Sequence, residues 1–242
     1  MPLTIETILS PALYPFRTTE ESHITVVIDI LRFTTSVVAA FDFHAAAVIP
    51  TMTLEEARKL KEKGYKVAAE RDGLKLDFAD YGNSASDFMN PDIEGKTIAY
   101  STTNGTRAIM LAAANGPVVA ASFSNLYAVA EWLSTQKQNI VILCSGWKNQ
   151  FCIEDTLCAG AFISKLTETT AFEISGDASV MAVGYWEAAQ NNLAAFIKKA
   201  SHHQRLLNLG VNPLLEYTIK TGISNALPVF ENGWLTDKNK NK

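Results

Sequence analysis

Thr25-Val26-Val27-Ile28-Asp29-Ile30-Leu31-Arg32-Phe33-Thr34-Thr35-Ser36 decides the fold class. β-Branched residues suit a pleated, buried strand, and this run stops on a carboxylate. A short loop carrying Arg32 follows, and Thr34 opens a segment of helical character that reaches Phe41. The same strand-loop-helix elbow recurs twice. Ile98-Ala-Tyr-Ser101-Thr-Thr-Asn104-Gly105-Thr106-Arg107 is the second, and Val141-Ile-Leu-Cys144-Ser-Gly146, running on to Ile153-Glu154-Asp155-Thr156, is the third.

Working outward, strand character is expected at 45–50, 66–70, 97–101, 118–121 and 140–144. Helices are expected at 53–63, 126–133, 157–166 and, as one piece, 193–210. Thr53 and Glu56 form a capping box for the first of these, and Gly64 supplies its stop. Strands and helices alternating at short intervals predict a layered α/β/α architecture with a mostly parallel, or mixed, sheet.

The 242 residues fit one large domain over 1–235, with a two-lobed build as the alternative. The polar tail at 236–242 is expected to fray. Such a length buries enough surface to need no disulfide or metal staple. Three cysteines without a CxxC pair fit neither a disulfide framework nor a structural zinc site, and Cys144, Cys152 and Cys158 read as small buried residues. A net charge of −4 argues against a nucleic-acid footprint and a polybasic membrane anchor. The N-terminus has no basic region before its apolar residues and carries Glu6 within them, unlike a signal peptide, and no stretch is long and apolar enough to span a bilayer, so a reducing cytoplasm is expected.

In open parallel sheets ligands bind beyond the carboxyl ends of strands, where helix N-termini also favour anions. The elbows place Thr34, Thr35, Ser36, Thr102, Thr103 and Thr106 there, with Arg32 and Arg107 to match a phosphate or sulfonate. Asp29, Glu70, Glu154, Asp155 and, further along, Asp177 stand against them. Acids and arginines together suggest Mg²⁺ holding a small anionic substrate for phosphoryl transfer to water. Each residue alone has a plainer reading: the threonines as helix caps, Asp29 as a turn residue, the arginines as surface, Glu154 and Asp155 as acids favoured at a helix start. His202 and His203 are adjacent, about 100° apart on a helix, so they cannot chelate one ion as a pair, and at least one is expected to face solvent.

Five phosphate-handling templates are absent: the Walker P-loop, the Gly-x-Gly-x-x-Gly fingerprint, Asp-x-Asp at a strand end, Cys-x5-Arg and Arg-His-Gly. What is present, in order, is Asp29-x-x-Arg32-x-Thr34-Thr35, Glu70-Arg71, Gly82-Asn83-Ser84, Thr102-Thr103-Asn104-Gly105-Thr106-Arg107 and Glu154-Asp155 with Ala159-Gly160. This order resembles the 2-phosphosulfolactate phosphatase family, from about Val26 to Arg205. The resemblance implies a Mg²⁺-dependent cytoplasmic phosphatase that converts (2R)-2-phospho-3-sulfolactate to 3-sulfolactate on the way to coenzyme M. It implies catalytic roles for Asp29, Glu70, Glu154 and Asp155, with Asp29, Glu154 and Asp155 holding the metal. Arg32, Thr34, Thr35, Asn104, Gly105, Thr106 and Arg107 would grip the anionic groups, and Ser201 and Arg205 would close the pocket. A homo-oligomer is left open. The chain departs from the pattern at Asp80-Tyr81-Gly82-Asn83-Ser84-Ala85, at Ser201-His202-His203-Gln204-Arg205 and at Asn225. Two alternatives stand beside this reading: a phosphatase of another small phospho-hydroxy acid, and a non-catalytic binder of a phosphorylated or sulfonated acid.

Overall fold

A computed structural model describes residues 2–19, 22–169 and 172–240. The strands are β1 (Leu3–Ile8), β2 (His23–Ile28), β3 (Ala47–Pro50), β4 (Lys66–Arg71), β5 (Leu74–Lys75), β6 (Thr97–Ser101), β7 (Val118–Ala121), β8 (Asn139–Cys144), β9 (Phe172–Ser175), β10 (Pro228–Glu231) and β11 (Trp234–Asp237). The helices are α1 (Phe33–Asp42), α2 (Leu54–Glu62), α3 (Ala85–Phe88), α4 (Gly105–Ala113), α5 (Leu126–Thr135), α6 (Ile153–Thr169), α7 (Asp177–Ala189), α8 (Leu193–Ile197), α9 (Ser201–Asn208) and α10 (Leu215–Thr218). The architecture is layered α/β/α around a mostly parallel sheet, ordered β5-β4-β6-β3-β11-β10-β7-β2-β8-β1-β9.

The sheet has two parallel halves. β7, β2, β8, β1 and β9 form one, and β4, β6 and β3 form the other. Between them the β10–β11 hairpin pairs antiparallel with β7 on one side and β3 on the other. Three antiparallel steps reverse the sense of one half relative to the other. In a flat sheet the carboxyl ends of β2 and β6 would then lie at opposite edges, offset by roughly 17 Å along the strands for a five-residue strand. They meet instead: a Cβ on Gly105, just after β6, would come within 2.4 Å of the Phe33 ring, just after β2. The sheet therefore folds back on itself.

Helix α1 fills the fold. Its residues Phe33 to Phe41 are all buried, as an all-round apolar helix must be. One cluster joins them to Val27, Val141 and Leu143 of one half and to Val48, Ile98 and Tyr100 of the other. Alternate residues Ile24, Val26, Ile28, Ile140 and Ile142 point the other way, toward α5 and α6.

The capping box at Thr53 and Glu56 is present, with Glu56 N to Thr53 Oγ1 at 3.1 Å, and Gly64 takes φ +88° after the helix. The single helix expected at 193–210 is two, broken at Lys198–Ala200. Thr236 and Asp237 of the expected frayed tail lie in β11, and the Lys238 amide donates to Leu227 O, so this part of the tail is pinned; residues 241 and 242 fall outside the described residues. Among the described residues no helix is long and apolar enough to cross a membrane.

Candidate active site

The first elbow is shaped by its own hydroxyls. Thr34 Oγ1 accepts from the Asp29 amide at 2.9 Å and donates to the Asp29 carbonyl at 3.0 Å. Thr35 Oγ1 donates to Ile30 O at 3.0 Å. In the second elbow Thr106 Oγ1 accepts from the Thr102 amide and donates to the Thr102 carbonyl. Thr34, Thr35 and Thr106 were expected to grip the substrate. Their hydroxyls bond the backbone of their own loops and so shape the elbows.

Gly105 lies against Phe33, whose ring packs at 5.0 Å on Tyr100, and any larger residue would push the two elbows apart. The close approach of the two elbows requires glycine there.

The acids divide by what they accept. Both oxygens of Glu70 take backbone amides, from Thr103 at 2.6 Å and Gly73 at 2.7 Å. Both oxygens of Asp155 do likewise, from Ile30 at 2.8 Å and Gly146 at 2.9 Å. Glu70 thus ties the second elbow to the β4–β5 turn, and Asp155 ties the first elbow to the third. Burial, with Glu154 and Asp29 nearby, pushes the Asp155 carboxyl well above its ordinary range, against the pull of those two amides. Each oxygen of both acids accepts a backbone amide, so both carboxylates hold the elbows in register.

Glu154 and Asp29 differ. Glu154 is 1 % exposed, and neither carboxylate oxygen accepts a hydrogen bond; its Oε1 stands 3.2 Å from His202 Nδ1. It sits in the first turn of α6, where the helix dipole favours a negative charge. Asp29 accepts from the Phe33 amide at 3.2 Å. Burial raises its carboxyl to about 6; Glu70 and Glu154 push the same way and His202 opposes them.

These groups surround a narrow polar cleft with free space of only about 10 Å³, whose walls include Asp29, Arg32, Glu70, Asn104, Trp147, His202 and Arg205. Arg32 is buried and donates through Nη2 to Gly73 O at 2.7 Å. Asp72 and Gly73 form the two-residue turn between β4 and β5, with φ +53° and +95°, as a type I′ hairpin requires. Arg205 donates to Asp72 O at 2.8 Å and lies 4.6 Å over the Trp147 ring. The loop after β8 closes the rim, with the Lys148 amide donating to Asn104 Oδ1 at 3.1 Å.

Asp29, Arg32, Glu70, Asn104 and Arg205 thus meet as expected, with Glu154 and Asp155 directly behind. Arg107 does not join them. It is exposed and lines a larger neighbouring cleft that shares Thr103 and Asn104 with the first, on the side of Arg71. Ser201 is exposed at the start of α9, away from the cleft walls, and Asp177 opens α7. Both His202 and His203 are buried, because the break before α9 packs that helix across the cleft; the expectation of a solvent-facing histidine fails. His202 and Trp147 are site residues the sequence reading missed. The two-residue Lys148-Asn149 turn, with φ +50° and +63°, folds Trp147 back beside Gln150, and Lys-Asn carries no strong hairpin signal in the sequence.

A family model described as 2-phosphosulpholactate phosphatase matches residues 8–233. The chain belongs to the 2-phosphosulpholactate phosphatase family. Its similarity to named members of the family spans nearly the whole chain. A Thermotoga petrophila protein named probable 2-phosphosulfolactate phosphatase is 36% identical over 213 residues, 88% of this chain and 91% of that one. A Clostridium perfringens protein of the same name is 36% identical over 219 residues, 88% of each. One from Caldanaerobacter subterraneus subsp. tengcongensis, again so named, is 34% identical over 212 residues, 86% of this chain and 88% of that one. The family match covers all three elbows and α9, and so every wall of the cleft.

Proposed function

We propose that this protein hydrolyses the phosphomonoester of 2-phospho-3-sulfolactate to 3-sulfolactate and inorganic phosphate, in the cytoplasm and with Mg²⁺, on the route to coenzyme M. The observation that carries the metal-dependent reading is Glu154. A buried carboxylate with one oxygen facing only His202 Nδ1 and the other meeting no donor among the described residues is costly unless a cation completes it. Asp29 and Glu154 offer the hard oxygen ligands Mg²⁺ takes, so they would hold it. Bound there, Mg²⁺ would supply positive charge to the phosphate oxygens as the P–O bond breaks.

The protein's own groups do the rest. Arg32 and Arg205 face the cleft as fixed forks for the anionic groups of a small acid. Their positions are set through the Asp72-Gly73 turn, which both guanidinium groups grip by its carbonyls. Glu70 and Asp155 keep the three elbows in register, and Trp147 and His202 narrow the opening. A non-catalytic anion binder accounts poorly for this arrangement, because Asp29 and Glu154 would repel its ligand. A different phospho-hydroxy acid gains one specific support: with Arg107 outside the cleft, fewer cations face the third anionic group than the sulfonate substrate would use.

The test is phosphate release from phosphosulfolactate and from a panel of phospho-hydroxy acids, with and without EDTA. Release that EDTA stops and Mg²⁺ restores, highest on phosphosulfolactate, is the expected result. No metal-dependent release on any of them overturns the proposal, and a preference for another acid moves the substrate while keeping the chemistry.

A further inference from the structure

Behind the cleft wall three side chains of unlike chemistry converge. Cys152 Sγ lies 3.8 Å from His202 Nδ1, and Glu154 Oε1 lies 3.2 Å from the same nitrogen. The three donor atoms fall within 4.8 Å of one another. All three residues are buried, at 6, 1 and 8 % exposure. The cluster is short of hydrogens: Nδ1 faces both Glu154 Oε1 and Cys152 Sγ with at most one hydrogen, Glu154 Oε2 meets no donor among the described residues, and a thiol is a poor donor.

Two of the three spacings are close to those of one coordination sphere. Around a tetrahedral ion with bonds of about 2.3 Å to sulfur and about 2.0 Å to nitrogen and oxygen, S and N lie about 3.5 Å apart and N and O about 3.3 Å apart. The observed 3.8 and 3.2 Å differ from these by about 0.3 and 0.1 Å. Mg²⁺ does not explain the sulfur, since it takes oxygen ligands; a thiolate with an imidazole selects softer first-row ions.

We propose that Cys152, Glu154 and His202 form a binding site for a transition ion of the Zn²⁺ class, with three protein ligands and a fourth position left to water or substrate. The site shares Glu154 with the proposed Mg²⁺ site, and so bears on the same chemistry, but its donor set is its own. Zn²⁺ bound there removes Glu154 from Mg²⁺ and inhibits Mg²⁺-dependent turnover.

Protons balance simply. The ion adds to Cys152 with loss of the thiol proton to solvent, forming the metal–sulfur bond. Arg205 Nη2 faces His202 Nε2 at 3.4 Å, and arginine can only donate, so Nε2 holds the lone pair and Nδ1 the hydrogen while the ion is absent. Binding at Nδ1 moves that hydrogen to Nε2, with no net release. Two N–H groups would then confront each other, so Arg205, a wall of the cleft, must turn away. One proton released per ion makes affinity rise about tenfold per pH unit below the thiol's own titration.

The experiment is a Co²⁺ titration of the metal-free full-length protein, read by absorption. The expected result is one equivalent bound, a thiolate-to-cobalt charge-transfer band, and displacement by Zn²⁺. Cys152→Ser removes the band. His202→Gln keeps a thiolate ligand and weakens binding at least about tenfold, since even outer partners of metal ligands cost 10–100-fold. Circular dichroism checks the fold of each variant, and either folded variant suffices. No band in the unaltered protein, a band that persists in Cys152→Ser, or equal affinity in His202→Gln overturns the proposal. Phosphate release with Mg²⁺, measured on the same preparations, separates the two readings. Intact turnover without a cobalt band sinks only this site, and a cobalt band without Mg²⁺-dependent turnover sinks only the magnesium reading.

Discussion

Replacing Asp29 by asparagine should make the metal-free protein more stable while abolishing its turnover. Burial raises the Asp29 carboxyl from 3.8 to about 6, so the folded state prefers the protonated acid. The stability this group contributes is present in full below pH 3.8, is lost as pH rises from there to about 6, and stays lost above. Those 2.2 pH units correspond to about 3 kcal/mol at pH 8, an order-of-magnitude ceiling because Glu70, Glu154 and His202 share the field. Asparagine has nearly the same shape and keeps an oxygen for the Phe33 amide, but carries no charge. At about 2–4 °C per kcal/mol for a chain of this size, Asp29→Asn should melt up to about 6–12 °C higher in EDTA at pH 8. The gap should close steadily as the pH is lowered toward 4. Thermal melts of both proteins from pH 4 to 8 measure it. A variant less stable than the parent at pH 8, or a gap that ignores pH, would refute the reasoning.

Three further outcomes follow from the geometry. The acid limb of kcat/KM should fall near pH 6 as Asp29 gains its proton, and raising Mg²⁺ should move that limb to lower pH, because ion and proton compete for one carboxylate; pH profiles at two Mg²⁺ concentrations test it. Gly105→Ala should cost about 1–3 kcal/mol in urea unfolding, because its Cβ would stand 2.4 Å from a Phe33 ring held in place by Tyr100. Ser201→Ala should leave kcat/KM within about twofold, equivalent to about 0.4 kcal/mol, since Ser201 is exposed and outside the cleft; a tenfold loss would return it to the site.

The elbows were legible because strand ends, turn residues and helix starts are local chemistry. Val118–Ala121 and Thr97–Ser101 are strands over the expected residues, and Thr53 caps as its spacing to Glu56 demands. The reversal between the sheet halves was not legible. Pro228–Glu231 and Trp234–Asp237 are four residues each, and nothing within them names β7 and β3 as partners. The acids show the same divide. Their positions marked the site, but a sequence does not state which backbone amides a carboxylate will meet. Among the described residues Glu70 and Asp155 meet two each and Glu154 none. His202 escaped because its adjacency to His203 pointed to solvent for at least one of them, whereas its partners Glu154 and Cys152 lie some fifty residues earlier.

The β10–β11 hairpin has a consequence for biosynthesis. These strands come last in chain order yet occupy the seam between the two halves. While the ribosome still holds them, β3 and β7 each expose an unpaired edge, and such edges invite association with other chains. Completion of the seam is a late event in synthesis, and nascent chains halted before Pro228 should depend on chaperones far more than those released after Asp237.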